Sequence, residues 1–251
     1  MSGATLYSAI EELQGETPFG RVLDAGTGLR SLRWIIGLET DSWTAVTGTR
    51  GMAARAKRVI GEQMRPRDRL EVGNWAEPEF LAGQEYDTVL ADHLLGAIEG
   101  FAPFFQTALF ARLRALTARR LYVTGMEPYV VERPRDEAGA LIWEIGRYRD
   151  ACVILSGQKP YREFPMEWVL AELRRSGFET LDARRVAVGY QAYFVNSQIE
   201  VPRAGLERLA DQAVARALIA HGEALRARAL AHIESNGPLG HMHYVIAAEP
   251  V

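Results

Sequence analysis

The chain has 251 residues, of which 48% are hydrophobic and 24% are charged, and its formal net charge at pH 7 is −3. These values are typical of a globular protein with a full hydrophobic core, and they exclude extended disorder and a global attraction to nucleic acid or anionic lipid. No apolar run approaches the roughly 20 residues of a membrane span, and the single cysteine, Cys152, excludes an intrachain disulfide.

The first half of the chain alternates between short apolar runs, which predict strands, and segments with apolar residues three or four apart, which predict helices. The predicted strands are 21–25, 43–48, 69–73, 86–91 and 120–125, and the predicted helices are 5–13, 31–37, 52–64 and 104–116. This alternation indicates right-handed crossovers and a parallel sheet. Ligands of such sheets bind beyond the carboxyl ends of the strands, so the loops there are the candidate site.

The second half of the chain is richer in helices. It contains predicted helices at 137–155 and 165–175, a sixth strand at 180–188, a long helical stretch at 203–233, a break at 237–240 and a last strand at 243–247. We interpret 1–251 as a single domain in which segments of about 137–165 and 190–236 form a helical cap or insertion. The insertion between strands six and seven can form a lid, a substrate wall or a homodimer face, or simply pack on the core.

The first strand ends in the sequence Val-Leu-Asp-Ala-Gly-Thr-Gly, in which Asp24 precedes Gly26 by two positions. Glycines let the backbone turn sharply and approach a ligand closely. The dinucleotide-binding fingerprint requires a third glycine three positions after Gly28, where this chain has Ser31. An acidic side chain beside the turn also suits a cationic or amine-bearing ligand better than a pyrophosphate.

An acid followed by Gly-x-Gly at the end of the first strand resembles the class I S-adenosylmethionine-dependent methyltransferases. Four later segments also resemble landmarks of this family: 86–94, 121–125, 162–165 with the helix that ends at 176–178, and 243–247. The resemblance covers nearly the whole chain. It implies an α/β fold with a Rossmann-like, seven-stranded, mostly parallel sheet, helices on both faces, and an antiparallel last strand between strands five and six.

The resemblance also implies S-adenosylmethionine as the cofactor and S-adenosylhomocysteine as the product. The turn would hold the methionine part, with Asp24 acting on its amino group, and Asp92 would lie beside the reactive methyl. An Asn amide can hydrogen-bond the adenine edge and a Trp ring can stack on it. The implied cofactor-binding residues are Asp24, Ala25, Gly26, Thr27, Gly28, Thr49, Asn74, Trp75 and Asp92.

Two positions depart from the family pattern. Arg30 stands where the third glycine of the motif is expected, and Arg50 stands where an acid usually holds the ribose hydroxyls. A guanidinium has donors but no acceptor, so it cannot replace that carboxylate. Three alternatives follow: Thr49 hydrogen-bonds the ribose, Arg50 points away, or the cofactor differs or binds weakly.

The candidate general base is His93, because it follows the fourth strand and its ordinary pKa lies near neutrality. The structural alternative is a histidine that caps the next helix. Glu127 and Tyr129 follow the fifth strand and can face the acceptor, or they belong to a surface turn. His241 and His243 share a face of the last strand, but no third ligand is evident, so we expect no metal site.

Candidate substrate-binding residues lie on the helical segments and near strand six. They are Trp143, Arg147, Tyr148, Arg162 and Tyr190. Arg147 and Arg162 can pair with a substrate carboxylate, and the aromatic rings can wall a pocket. The alternative for Trp143, Arg147 and Tyr148 is an amphipathic core helix, and Arg162 can instead pair with Glu163 or another acid.

The N-terminal segment and the amino-acid usage suggest where the protein works. Residues 1–15 lack the basic and apolar regions of a secretory signal, so we expect a cytoplasmic protein. Only Lys57 and Lys159 are lysines among 29 basic residues, which together with the many alanines indicates a GC-rich, bacterial genome. No basic stripe with interleaved aromatic residues is present, so we expect no nucleic acid and no membrane among its partners.

The leading hypothesis is a class I methyltransferase that acts on a small-molecule substrate by in-line methyl transfer, with O, N, S or C as the acceptor atom. One alternative is an aminopropyltransferase-like enzyme on the same fold, which would require an acidic residue at the position that contacts the ribose. The other is a degenerate methyltransferase-fold protein that binds or serves as a scaffold, for which Arg30 and Arg50 are the main support. A homodimer through 203–233 is also possible on this sequence.

Overall fold

A computed structural model describes residues 5–129 and 131–251 of the chain. The strands are β1 Arg21–Asp24, β2 Ser42–Thr47, β3 Arg69–Val72, β4 Tyr86–Asp92, β5 Thr117–Met126, β6 Phe178–Tyr190 and β7 Leu239–Pro250. The helices are α1 Leu6–Gln14, α2 Leu29–Gly37, α3 Arg50–Ile60, α4 Leu94–Ala97, α5 Gln106–Arg114, α6 Glu137–Leu155, α7 Met166–Arg175, α8 Ala192–Glu200, α9 Arg203–Leu206 and α10 Gln212–Asn236. Within the described ranges, none of these helices combines the length and the apolar character needed to cross a membrane.

The seven strands form one sheet in the order β3-β2-β1-β4-β5-β7-β6. β1 pairs in parallel with β2 and with β4, and β5 pairs in parallel with β4. β7 runs antiparallel to β5, with Leu121 opposite Ala248 and Met126 opposite His243. The predicted sheet, including an antiparallel last strand between strands five and six, is therefore confirmed.

The central strands are buried on both faces, which is why they read as continuous apolar runs. On one face, Leu23 packs with Leu121 and with residues of α5 and α7. On the other face, Val22 packs with residues of α2 and α3, and Tyr122 packs with α1. Helices thus cover both faces, as the sequence predicts, and the carboxyl ends of β1 to β4 remain available for a site.

The chain divides into two compact units. The first unit contains the described residues up to Met126, together with Tyr161–Val186 and His243–Val251. The second unit contains Glu127–Pro160 and Ala187–Met242. Its core joins α6, α8, α9 and α10 through buried side chains such as Ile145, Leu206 and Leu225.

The long stretch predicted as helical at 203–233 is divided into two helices. It consists of α9 and α10, and Asp211 caps α10 by accepting hydrogen bonds from the amides of Ala213 and Val214. The alanine-rich sequence hides this break because alanine favours helix throughout. α8 was not predicted as a separate helix, and β7 already begins at Leu239, inside the predicted break.

Other differences concern the ends of elements. The helix predicted at 104–116 begins at Gln106, because Phe104 adopts a left-handed conformation with φ of 65°. β6 extends to Tyr190, so that residue ends the strand instead of following it. A short helix, α4, follows β4 directly and was not predicted.

Candidate functional site

The first unit contains a cleft at the carboxyl ends of β1, β2 and β3, where a ligand of a parallel sheet is expected. The empty space in and in front of it, open solvent included, is about 500 Å³. The lining residues come from the loops after these strands, from α3, from the segment after β4 and from Tyr161. They are Ala25, Gly26, Thr27, Val46, Thr47, Gly48, Met52, Gly73, Asn74, Trp75, Leu94, Ala97, Ile98, Phe101 and Tyr161.

The two-glycine turn is held between the neighbouring strands. The amide of Ala25 donates to the Leu90 carbonyl at 2.8 Å, and the amide of Thr27 donates to the Val46 carbonyl at 2.7 Å. Gly26 passes so close to α4 that an added Cβ would lie 2.7 Å from the Cδ1 atom of Leu94. α2 begins directly after Gly28, so the first N–H groups of that helix have no acceptor within it.

Asp24 ends β1 with a fully buried side chain, and neither carboxylate oxygen has a hydrogen-bond partner. Burial raises the pKa of Asp24 to about 7, and the charge of Asp92 acts in the same direction. Ser31, Thr27 and the Gly26 amide lie close enough to act in the opposite direction. Burial is the largest of these influences. The two hydroxyls donate to backbone carbonyls, Thr27 to that of Asp24 and Ser31 to that of Gly28.

Asp92 ends β4, and two hydroxyl groups hold its carboxylate. The Tyr7 hydroxyl donates to Oδ2 at 2.8 Å, and the Thr124 hydroxyl donates to Oδ1. The Tyr7 ring stacks on Trp34 with centroids 5.0 Å apart. Tyr7 and Thr124 were not predicted as site residues. Thr124 could have been found because it lies on β5 beside Asp92 in the sheet register, whereas no sequence pattern indicates Tyr7.

His93 follows Asp92 with a left-handed backbone, at φ of 48°, immediately before α4. Its side chain does not cap that helix, and its Nδ1 atom is buried without a hydrogen-bond partner. The ring meets His243 edge to face, with centroids 5.3 Å apart. Burial lowers the pKa of His93 in spite of the opposing charge of Asp92, so the ring is neutral at neutral pH and can accept a proton.

Asn74 and Trp75 both line the cleft, as the adenine interpretation requires, but their polar groups bind the protein itself. The Asn74 side chain donates to the Phe101 carbonyl at 3.0 Å and accepts from the Ala76 amide at 3.0 Å. Trp75 is buried, and its Nε1 atom donates to the Ala25 carbonyl at 2.7 Å. Both side chains therefore shape the wall of the cleft.

Thr49 does not line the cleft: it caps α3, and its hydroxyl accepts from the Met52 amide at 3.1 Å. Arg30 and Arg50 are exposed and also lie outside the lining. None of the residues that line this cleft in the described part of the first unit is acidic. At the end of β2, the Phe101 ring packs directly against Gly48, where an added Cβ would overlap it.

Glu127, Tyr129 and Tyr190 belong to the second unit. The Glu127 carbonyl meets the Nε2 atom of His241 at 2.8 Å, and Tyr129 contacts the His241 ring edge to face. Tyr190 stacks on Phe194 with centroids 3.8 Å apart and also lies along His241. The rings of Tyr129, His241, Tyr190 and Phe194 therefore contact one another in a row inside the second unit.

Trp143, Arg147 and Tyr148 lie on α6, also in the second unit. The Arg147 guanidinium is exposed and lies 4.7 Å from the Trp143 ring centroid. Tyr148 is a core residue whose hydroxyl reaches Gly222, and burial raises its pKa. This placement is that of an amphipathic core helix with one exposed cation.

Arg162 belongs to the first unit, and its Nε atom lies 3.7 Å from the Oε1 atom of buried Glu99. The predicted site residues therefore divide between the units. Those in the first unit are Asp24, Ala25, Gly26, Thr27, Gly28, Thr49, Asn74, Trp75, Asp92, His93 and Arg162. Among the described side chains, no three of His, Cys, Asp and Glu converge in a way that could hold a metal ion.

Neither a protein-family model nor a curated protein matches this sequence, whereas many solved structures match the fold. A protein of Bacillus halodurans C-125 described as a candidate methyltransferase is 11% identical, with a TM-score of 0.63 over 99% of this chain and 100% of its own. The 4+2 cyclase SpnF is 19% identical, with a TM-score of 0.55 over 98% of this chain and 80% of its own.

Magnesium protoporphyrin IX methyltransferase ChlM from Synechocystis PCC 6803, solved with bound S-adenosylhomocysteine, is similar too. It is 14% identical, with a TM-score of 0.53 over 98% of this chain and 82% of its own. Identities this low show the fold, which is that of the class I S-adenosylmethionine-dependent methyltransferases. The fold resemblance predicted from the sequence is thereby confirmed.

Proposed function

We propose that this chain is an S-adenosylmethionine-dependent methyltransferase that acts on a small-molecule acceptor and releases S-adenosylhomocysteine. The observation that carries this proposal is Asp24, a fully buried carboxylate without a partner. It does not itself line the cleft, but it immediately precedes the lining residues Ala25, Gly26 and Thr27. An unpaired buried carboxylate is costly, and a cationic ligand group would relieve that cost. The amino group of the cofactor is such a cation.

Three further features support the fit of this cofactor. Gly26 lines the cleft at a place where a larger residue would collide with α4. The first N–H groups of α2 follow the turn and suit the carboxylate of an amino acid. Trp75 and Asn74 line the same cleft, where adenine is expected by the family resemblance.

The cofactor supplies an electrophilic methyl group, and the residues of this chain align the acceptor, exclude water and move a proton. His93 is the candidate base because its buried, partner-free Nδ1 atom belongs to a neutral ring that can take a proton from an O–H or N–H acceptor. Asp92, held by Tyr7 and Thr124, contributes a fixed negative charge beside it. Glu127 and Tyr129 remain the alternative acid–base residues.

A small-molecule acceptor is supported by the character of the cleft. Its lining includes the apolar and aromatic side chains of Met52, Ile98, Phe101 and Tyr161, and none of the described residues that line it is basic. Phosphate backbones of nucleic acids require basic contacts. We propose Trp143, Arg147, Tyr148, Arg162 and Tyr190 as acceptor-binding residues on the sequence argument, to be tested one by one.

Calorimetric titration with S-adenosylmethionine and S-adenosylhomocysteine tests the cofactor. Binding of both is expected, and Asp24→Asn is expected to weaken it by about 1–3 kcal/mol, or roughly 5- to 150-fold. Asp41→Asn, which removes an exposed carboxylate, is the matched control and leaves affinity unchanged. Absence of heat with either ligand would overturn the proposal.

Transfer itself is tested with methyl-labelled S-adenosylmethionine and a fractionated bacterial extract. The label is expected in the small-molecule fraction. Label in protein or nucleic acid would refute the proposed substrate class while leaving methyl transfer intact.

A second candidate function is ligand binding without methyl transfer, and Arg50 in place of an acid favours it. SpnF, named as a cyclase, has a similar fold, so the fold does not dictate the reaction. Tight binding of S-adenosylhomocysteine without label transfer to any fraction would select this second candidate.

A further inference from the structure

We infer that this cleft holds the sugar of its nucleoside ligand without gripping the two ribose hydroxyls, so that analogues lacking either hydroxyl bind about as well as the full ligand. The inference rests on the proposed function and concerns the specificity of the same cleft. Its basis is the wall at the end of β2, where the chain replaces a carboxylate with apolar contact.

The residue at the acid position cannot accept hydrogen bonds from a sugar. Arg50 is the first residue of α3, its side chain is exposed, and it does not line the cleft. A guanidinium offers five donors and no acceptor. Holding two vicinal hydroxyls through their protons requires acceptors, and a carboxylate is the side chain best suited to take both.

The neighbouring polar side chains are uncharged and already engaged within the protein. The Thr49 hydroxyl accepts from the Met52 amide to cap α3, and the Thr47 hydroxyl donates to the Thr49 carbonyl at 3.4 Å. The Asn74 side chain spans the Phe101 carbonyl and the Ala76 amide. Of the residues lining this cleft in the described part of the first unit, not one is Asp or Glu.

An aromatic ring fills the space next to the end of β2. Phe101 packs against Gly48 so closely that no side chain fits there, and Asn74 anchors the Phe101 backbone. Met52 and Ile98 line the same cleft and add apolar surface. Sugar hydroxyls beside such a wall keep their water toward the open mouth, so losing one of them removes little binding energy. A site built on hydrogen bonds to hydroxyls would instead reject the deoxy analogue strongly.

The test is a calorimetric comparison of S-adenosylhomocysteine with its 2′-deoxy and 3′-deoxy analogues. For the wild-type protein, the three dissociation constants are expected to agree within about threefold. Arg50→Asp introduces the missing acceptor and is expected to tighten S-adenosylhomocysteine binding about tenfold and to penalise both deoxy analogues about tenfold. Arg55→Asp, an equal charge change at an exposed position of α3 outside the cleft, is expected to do neither.

The outcomes distinguish the inference about the ribose hydroxyls from the proposed function. A tenfold or larger penalty for either deoxy analogue in the wild-type protein overturns the inference while leaving cofactor binding established. Equal gains in Arg50→Asp and Arg55→Asp also overturn it, because the gain then reflects overall charge. Absence of binding by all three ligands to the wild-type protein and to Arg50→Asp refutes the proposed function, and the inference with it.

Discussion

The phenolic oxygen of Tyr7 lies 2.8 Å from Oδ2 of Asp92, although 85 positions separate the two residues in the chain. The contact fixes α1 to the carboxyl end of β4, beside Asp24 and the two-glycine turn. A hydrogen bond to a charged acceptor is stronger than one between neutral groups. The site therefore depends on a helix that precedes the sheet in the chain.

Tyr7→Phe should destabilise the protein by about 1–2 kcal/mol and weaken S-adenosylhomocysteine binding, because Asp92 loses one of its two hydroxyl donors. Urea unfolding and calorimetry measure the two effects. Tyr193→Phe, at a residue that is 75% exposed, is the matched control and should change stability by less than about 0.5 kcal/mol. Equal effects of the two substitutions would contradict a role for the Tyr7 hydroxyl.

Asp24→Asn should raise stability at pH 8 while it weakens cofactor binding. The folded state keeps the Asp24 proton up to a pKa of about 7, whereas the unfolded chain releases it near the ordinary value of 3.8. The free energy of unfolding of the wild type should therefore decrease as the pH rises from about 4 to 7. Asp24→Asn should lack the decrease that is due to Asp24. Thermal unfolding of the wild type and of Asp24→Asn at pH 5 and pH 8 measures this difference in stability.

The comparison of Asp24→Asn with the wild type can also contradict the role proposed for Asp24. If Asp24→Asn is less stable than the wild type at pH 8, the carboxylate has a structural partner, and its role as a cation receptor is wrong. Asp41→Asn, which removes an exposed carboxylate, is the control.

His93 should titrate below the ordinary histidine pKa of 6.5, because burial disfavours the charged ring. As the pH falls below about 6.5, the unfolded chain protonates His93 before the folded protein does, so the free energy of unfolding decreases. Proton NMR of the imidazole signals from pH 4 to 8 measures the pKa. The signal is assigned by its loss in His93→Asn, a substitution chosen because asparagine tolerates the left-handed backbone at this position.

Once an acceptor is known, His93→Asn should bind S-adenosylhomocysteine with unchanged affinity and lose about 10²–10⁴ in turnover. Full turnover of this variant would remove His93 as the base. Glu127→Gln and Tyr129→Phe are then the next substitutions to measure.

Gly26→Ala should lower stability by about 1–3 kcal/mol and weaken S-adenosylhomocysteine binding at least tenfold. The added methyl group meets the Cδ1 atom of Leu94 at 2.7 Å, so the turn or α4 must shift beside the cleft. Gly37→Ala, at the end of α2, meets no atom within 4 Å and should be neutral or slightly stabilising. Unchanged affinity in Gly26→Ala would contradict a close approach of the ligand to the turn.

Much of the fold follows from local sequence patterns. β1 and β2 are buried on both faces, so their residues form apolar runs that identify them as central parallel strands. The two-glycine turn and Asp24 are adjacent in sequence, so the centre of the candidate site can be recognised from the order of residues alone. Position at the carboxyl ends of the strands also identifies Asp92 and His93.

The remaining parts of the site depend on packing between distant segments, which no local pattern encodes. The contacts of Tyr7 with Asp92 and of Phe101 with Gly48 join residues that are far apart in the chain. The left-handed backbone of Phe104 could not be predicted either, because a bulky residue rarely adopts it. The sequence predicts Trp75 as a stacking ring, and only the fold shows that its indole N–H is committed to the Ala25 carbonyl.

Neither compact unit is a continuous piece of the chain, since the polypeptide passes from one to the other after Met126, Pro160, Val186 and Met242. The first unit is complete only once residues 243–251 have been synthesised, because β7 pairs with β5. Simple truncation therefore cannot yield either unit as an intact fragment, and stalled or clipped chains would expose an unfinished sheet to chaperones and proteases.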